Sequence, residues 1–318
     1  MSVAFTFPGQ GSQAIGMGRD LAEAFPSARA VFDEVDEALG QKLSTLMWGG
    51  EADELTRTTN AQPALMAVSM AAMRALESEG VDLERDVSFV AGHSLGEYSA
   101  LAAAGTFGVG EAARLLRIRG DAMQRAVPEG QGAMAAIIGL DETEVERLCE
   151  NARNNVGPCQ IANDNGGGQI VISGEKDAVE WATTMAGESG AKRALPLPVS
   201  APFHSELMAP AAEAMREALA GAAMPDPAVL LVANVTAVPE GEGARIRDLL
   251  AAQVTGRVRW RESVEAMVER GVDTVVEVGA GKVLTGLARR IDRSLGGMAC
   301  GTPDEVRAVA AKLRGEGA

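Results

Sequence analysis

Apolar positions along this chain alternate between strand-like runs and helix-like stripes, and the switches between them divide it into elements. Residues 3–7 have the alternation and length of a short buried strand, and they run into Pro8-Gly9-Gln10-Gly11-Ser12-Gln13. Residues 21–39 then read as one helix. Ala61-Gln62-Pro63-Ala64-Leu65 opens a further helix to about residue 79, with Pro63 suited to the first helical position and packing as its expected role. Val87, Phe89, Val90 and Ala91 form an apolar run of strand length, and residues 97–104 are rich in helix formers. Residues 111–126 predict a helix with Ala112, Leu115, Leu116, Ala122, Met123 and Ala126 on one face. Arg119 lies in the middle of that apolar stripe, while Arg114, Arg117, Asp121 and Arg125 lie opposite.

From residue 127 the pattern changes. Strand 133–140, helix 142–153, strands 159–163 and 169–173, helix 176–189 and strand 192–197 follow in the β-α-β-β-α-β order of a ferredoxin-like unit. Pro128-Glu129-Gly130 and Pro196-Leu197-Pro198 stand at its borders, so residues 127–199 read as a small subdomain inserted between parts 1–126 and 200–318. Beyond it come Val199-Ser200-Ala201-Pro202-Phe203-His204-Ser205-Glu206, a helix, a strand near 229–234, Gln253-Val254-Thr255, another helix and a strand at 274–278. A final helix is expected over residues 303–313.

The chemistry concentrates where the apolar run 87–91 meets the helix after it. Gly92-His93-Ser94-Leu95-Gly96 fits G-x-S-x-G, a strained strand-to-helix turn that exposes a serine, with free N–H groups of the helix start beside it. A serine nucleophile needs a base, and the chain has two histidines, His93 and His204. His93 adjoins Ser94, and its side chain would be directed away from the hydroxyl, so His204 is the expected base. No Asp or Glu stands out to orient the imidazole, and a backbone carbonyl could take the Nδ1 proton instead. The loop at Gln10 could supply an oxyanion donor or be a tight turn. Inward-facing Arg119 needs an anion, either an internal Asp or Glu or a substrate carboxylate held bidentately.

Two look-alike motifs fail. Ala14 stands where a dinucleotide fingerprint needs glycine, and Val283 occupies the Ser/Thr position of a phosphate loop around Lys282. A net charge of −15 over 318 residues argues against nucleic acid and anionic membranes as partners. Cys149, Cys159 and Cys300 lack metal-like spacing and read as reduced thiols of a cytoplasmic protein, and no metal is expected. The residues MSVAFTFPGQG do not read as a secretion signal and no apolar run reaches membrane-spanning length, so a protein neither exported nor membrane-embedded is expected.

Together FPGQGSQ, QPAL, AGHSLGEYSAL, IRGDAMQ, GAMAAIIGL, GAKRALPLPVS and EVGAGKVLTGL resemble the malonyl-CoA:acyl-carrier-protein transacylases of bacterial fatty-acid synthesis, relatives of the acyltransferase domains of polyketide and animal synthases. The resemblance spans nearly the whole chain. It implies an α/β-hydrolase-like core with a parallel sheet, carrying the inserted ferredoxin-like subdomain. It implies Ser94 as acyl acceptor, His204 as base, backbone N–H groups of Gln10 and Leu95 as oxyanion hole, and Arg119 as ligand of the malonyl carboxylate. Gln253 would lie near His204, in a family that holds the imidazole through main-chain carbonyls. Phe203 stands where many bacterial members carry a small residue, and in synthase domains phenylalanine there accompanies malonyl rather than methylmalonyl. The implied partners are malonyl-CoA and acyl carrier protein, with no tightly bound cofactor. Because carrier proteins are acidic, Lys192, Arg193, Arg289 and Arg290 are candidate docking cations. A polyketide-pathway acyltransferase, a serine thioesterase or esterase, and a non-catalytic scaffold are the rival readings. Against a hydrolase, such enzymes place the histidine near the C-terminus after the acid, whereas a long segment follows His204 here.

Overall fold

The computed structural model describes residues 2–199 and 201–316. Ser200, in the segment leading to His204, lies outside the described residues, as do Met1, Gly317 and Ala318. Ten strands occur among the described residues: β1 (Val3–Phe7), β2 (Phe89–Gly92), β3 (Gly132–Ile138), β4 (Cys159–Asp164), β5 (Gln169–Glu175), β6 (Arg193–Pro196), β7 (Leu231–Val232), β8 (Pro239–Glu240), β9 (Thr274–Val278) and β10 (Gly296–Cys300).

The large sheet has the order β10-β9-β1-β2-β7-β8, parallel throughout except for β8. Every residue of β1 and β2 is buried, so the alternation expected in β1 does not mark an exposed face. Thr6, the polar residue of β1, is satisfied internally by donating to Val276 O at 3.3 Å. Burial on both faces is the normal state of a parallel sheet between helix layers, and ligand sites form beyond its strands' carboxyl ends. Phe7 and Gly92 pair at those ends of β1 and β2, so the Pro8–Gln13 segment and the serine turn emerge side by side.

Two helical expectations are corrected. The helix expected over residues 21–39 is two helices, Arg19–Ala24 and Pro26–Leu39, separated by an extended Phe25 (φ −128°, ψ 115°). Pro26 disfavours helical geometry in the residue before it. The helix containing Pro63 spans Thr58–Ser78, which places Pro63 inside it rather than at its first position. That helix is buried along almost its whole length, which explains its all-round apolar character. The sequence pattern also passed over helices Leu43–Gly49, Ala52–Thr56 and Val283–Ile291 and strand β10, whose Gly-Gly-Met-Ala-Cys lacks β-branched residues. The expected last helix is present as Pro303–Leu313.

The small sheet is wholly antiparallel with the order β4-β5-β3-β6, the ferredoxin-like arrangement, and carries helices Glu142–Asn155 and Lys176–Glu188. Asp141 and Glu144 close a reciprocal capping box on the first of these. Ile137, Val145, Leu148, Ile161, Ile172 and Val179 belong to an apolar core of its own. It is stitched to the large sheet's layers by Val258, whose N–H donates to Ala162 O at 2.8 Å and whose carbonyl accepts from Asp164 N at 3.0 Å. Arg261 adds ion pairs to Asp164 at 2.7 Å and Glu142 at 3.0 Å. No helix among the described residues is long and apolar enough to cross a membrane.

Candidate active site

The serine turn is built by removing side chains. A Cβ on Gly92 would lie 1.9 Å from Gly96 C, and one on Gly96 would lie 2.2 Å from Phe7 O, so the bend closes only with glycine at both positions. Ser94 is thereby held at φ 53°, the left-handed region that a serine enters only under constraint. Asn234 supplies that constraint, accepting from Ser94 N at 2.9 Å and donating to Gly92 O at 2.7 Å.

His204, likewise left-handed at φ 57°, places Nε2 at 2.8 Å from Ser94 Oγ. Its Nδ1 lies 2.9 Å from Gln253 O, at the end of helix Gly243–Gln253. A carbonyl can only accept, so the proton sits on Nδ1 and the lone pair on Nε2 faces the serine hydroxyl. Burial, then the nearby positive charge of Arg119, pushes His204 down to about 3. The imidazole is therefore neutral at ordinary pH. His93 does not approach the serine hydroxyl through Nε2, which pairs with Asn165 Oδ1 at 2.9 Å.

Helix Val109–Ala126 turns Arg119 inward, as its apolar stripe requires, and leaves the residue 1% exposed. The helix crosses the start of Thr58–Ser78 so closely that a Cβ on Gly120 would lie 2.8 Å from Thr58 O. This crossing sets Arg119 beside Gln62, whose Oε1 accepts from Arg119 Nη1 at 2.9 Å. Nη2 donates to Gln253 Oε1 at 2.7 Å and to Ser94 Oγ at 3.1 Å, while Nε is buried without a partner among the described residues. No carboxylate among the described residues hydrogen-bonds this guanidinium. Gln62 therefore does more than pack, contrary to the role expected for its helix. Arg117 is also not fully on the solvent side: it is half-buried, with Nε and Nη2 lacking partners among the described residues.

Ser94, His204 and Arg119 open into a cavity of about 360 Å³ whose apolar wall includes Met123, Met134, Leu197 and Phe203. Gln10 and Leu95 line it too. Among the described residues their main-chain N–H groups take no protein acceptor, and Leu95 precedes helix Gly96–Ala103. The Gln10 side chain instead reaches Thr58 Oγ1 at 3.4 Å.

A family model for the acyl transferase domain matches residues 4–312. The chain belongs to the acyl transferase family. The Bacillus subtilis (strain 168) malonyl CoA-acyl carrier protein transacylase is 46% identical over 314 residues, covering 99% of this chain and 98% of that one. The crystal structure of acyl-carrier-protein-S-malonyltransferase from Bartonella henselae superposes with a TM-score of 0.97 at 60% identity, covering 99% and 100% of the two chains. A malonyl-transacylase solved in complex with a type II PKS acyl-carrier protein gives 0.95 at 43% identity, covering 98% and 100%.

Within this acyl transferase, three residues close to the site carried no signal in the sequence. Asn234 clamps the serine turn, and Glu97 is buried behind it. Gln160, on β4, donates to the carbonyls of His204 at 3.1 Å and Thr255 at 3.2 Å and accepts from Glu206 N at 2.9 Å. It ties the small sheet to both segments that hold the imidazole. Two of the four candidate docking cations, Arg290 and Lys192, flank the Gly166–Gly168 turn, while Arg289 lies beside Gly297. Arg290 packs against Gly167 on one side; on the other, Gly139 donates to Gly168 O at 2.9 Å and lies against the Lys192 stem. Lys192, Arg193, Arg289 and Arg290 are all exposed, and none is ion-paired among the described residues. Asn165, the partner of His93, immediately precedes that turn.

Proposed function

We propose that this acyl transferase moves a malonyl group from malonyl-CoA to the phosphopantetheine thiol of acyl carrier protein, through an ester on Ser94, in the cytoplasm and in supply of fatty-acid synthesis. The observation that carries the reading is one oxygen, Ser94 Oγ, contacted by both a neutral His204 and a buried Arg119 that hydrogen-bonds no carboxylate among the described residues. Ser94 Oγ attacks the thioester carbon as His204 Nε2 takes its proton, and the N–H groups of Gln10 and Leu95 receive the oxyanion. The C–S bond breaks and CoA leaves with the proton from the imidazolium. The carrier thiol then gives its proton to His204, attacks the ester, and restores the serine hydroxyl. Protein groups and the two thiols complete this cycle, so no metal or resident cofactor enters it.

Arg119 has two parts in the scheme. Its guanidinium, with Nε free, pairs with the malonyl carboxylate, and in doing so its charge is compensated. That charge is one of the causes depressing His204, so substrate binding raises the basicity of the imidazole when it is needed. Residues 127–199 serve as the subdomain that covers the acyl cavity, and the cations around Gly166–Gly168 receive the acidic carrier. The family match and the named relatives support the reaction class, the substrates and the partner.

Mass spectrometry after mixing with malonyl-CoA tests the reading. A malonyl adduct on Ser94 that a carrier thiol discharges faster than water supports it. Discharge by water at least as fast makes the protein a thioesterase, and absence of any adduct makes it a scaffold. Comparing fatty-acid and polyketide carrier proteins as acceptors separates the two pathways, a distinction sharpened by the PKS carrier complex of one structural relative.

A further inference from the structure

Glu97 lies three residues past the serine, 2% exposed, and the reaction above does not use it. Both its oxygens are engaged: Oε1 accepts from Asn234 N at 2.6 Å, and Oε2 accepts from Gln253 Nε2. Gln253 Nε2 also donates to Ser94 O at 2.9 Å, its Oε1 receives Arg119, and its main-chain oxygen holds His204. A glutamine amide has interchangeable ends, so its direction is set entirely by what surrounds it. Here a carboxylate on one side and a guanidinium on the other demand nitrogen toward Glu97 and oxygen toward Arg119.

We propose that Glu97 is a positioning residue for acyl transfer: its ionised carboxylate fixes the Gln253 amide, and through it the places of Arg119 and the Ser94 backbone. The role rests on the acyl-transfer reading given above. Glu97→Gln keeps the size and replaces one acceptor with a donor. The Asn234 main-chain N–H cannot turn and claims the remaining oxygen, so the new NH2 faces Gln253. That amide must then rotate, presenting NH2 to Arg119 and oxygen to Ser94 O, two mismatched pairs beside the nucleophile.

Acidification should have the same effect in the unaltered protein. Burial pushes Glu97 up to about 7, against the opposing pull of Asn234, Gln253 and Arg119. Arg119 and Tyr98 are the titratable groups that interact with it, and His204, reached through Gln253, does not titrate near neutrality. Malonyl loading should therefore fall as pH drops through about 7. Stability should respond oppositely. A folded-state pKa above the ordinary 4.5 means protons bind preferentially to the folded protein between 4.5 and about 7, so this group stabilises progressively as pH falls across that window.

The experiment measures single-turnover loading of Ser94 from malonyl-CoA and acetyl-CoA, and melting temperature, for wild type and Glu97→Gln from about pH 5 to 9. The expected result is a loss of malonyl loading of about tenfold to a hundredfold in the variant, a smaller loss for acetyl, and disappearance of both the loading inflection and the opposing stability slope. Wild-type loading in the variant overturns the proposal, as does an equal loss of both acyl groups with a lowered melting temperature. If the variant does not fold, wild-type loading that stays flat through about pH 7 overturns it. Wild type that forms no acyl-serine at all overturns the acyl-transfer reading instead.

Discussion

The two sheets bring different kinds of residue to the same cavity. The part of the molecule built on the large parallel sheet delivers the reacting groups: Ser94 after β2, with Arg119 and Gln253 on helices of the surrounding layers. The small antiparallel sheet delivers none of these. It contributes Gln160 to the backbone around His204, Asn165 to His93, and Met134 to the apolar wall. The difference teaches that one core holds the reacting groups and the other lends support alone, the two being joined by the backbone of Val258 and the ion pairs of Arg261. Substitutions on the two sides should then differ in kind as well as in size.

The largest effect belongs to the large sheet. Ser94→Ala should abolish the acyl-enzyme outright, read by mass spectrometry, and His204→Ala should lower turnover by roughly 10² to 10⁴. A well-folded His93→Ala variant more damaged than His204→Ala would reverse their roles. Next comes Arg119→Ala, for which loss of one side of a charge-assisted pair costs about 2 to 5 kcal/mol, or about 30-fold to several thousandfold in malonyl loading. Acetyl loading should suffer much less, and Arg117→Ala should leave the malonyl-to-acetyl ratio nearly intact. A ratio that survives Arg119→Ala would mean that the carboxylate is read elsewhere.

Gln160→Leu probes the small sheet's support. It removes three hydrogen bonds to the main chain around His204 and should lower kcat by about tenfold in both half-reactions with little change in either KM. An effect on KM alone would show that the small sheet binds substrate rather than steadying the base. The smallest effect is expected from reversing the charges of Lys192, Arg193, Arg289 and Arg290. Carrier-protein KM should rise severalfold, about what exposed cations contribute to docking, and its salt dependence should weaken, while malonyl-CoA loading stays unchanged. Equal effects on both half-reactions would remove the docking role.

What was legible in the sequence follows from how local each signal is. The serine turn, the β-α-β-β-α-β order and the inward register of Arg119 are written in spacings of a few residues, and all three are present in the fold. The split at Phe25–Pro26 was equally local, yet the apolar period running across it masked the proline. Glu97, Asn234 and Gln160 were silent because their meaning lies in partners far along the chain. Glu97 meets Asn234 across 137 positions and Gln253 across 156, and a polar residue in a helix pattern carries no mark of such a partner. Gln62 was hidden differently: its helix is apolar enough to look like packing alone, and only the close crossing at Gly120 brings Arg119 to it.

The partner of the His204 imidazole is a main-chain oxygen, and this bears on which mutations can disarm the base. Where an aspartate orients a histidine, one nucleotide change can delete the carboxylate and leave everything else in place. Here every sense codon at position 253 still supplies a main-chain carbonyl. A substitution there strips Arg119 and Ser94 of their amide contacts while the acceptor for Nδ1 persists, so long as helix Gly243–Gln253 ends where it does. Losing the orientation of the base requires moving a helix terminus, which point changes seldom do, and genetic screens for inactive variants should therefore recover position 253 for its selectivity defects rather than for loss of general-base function.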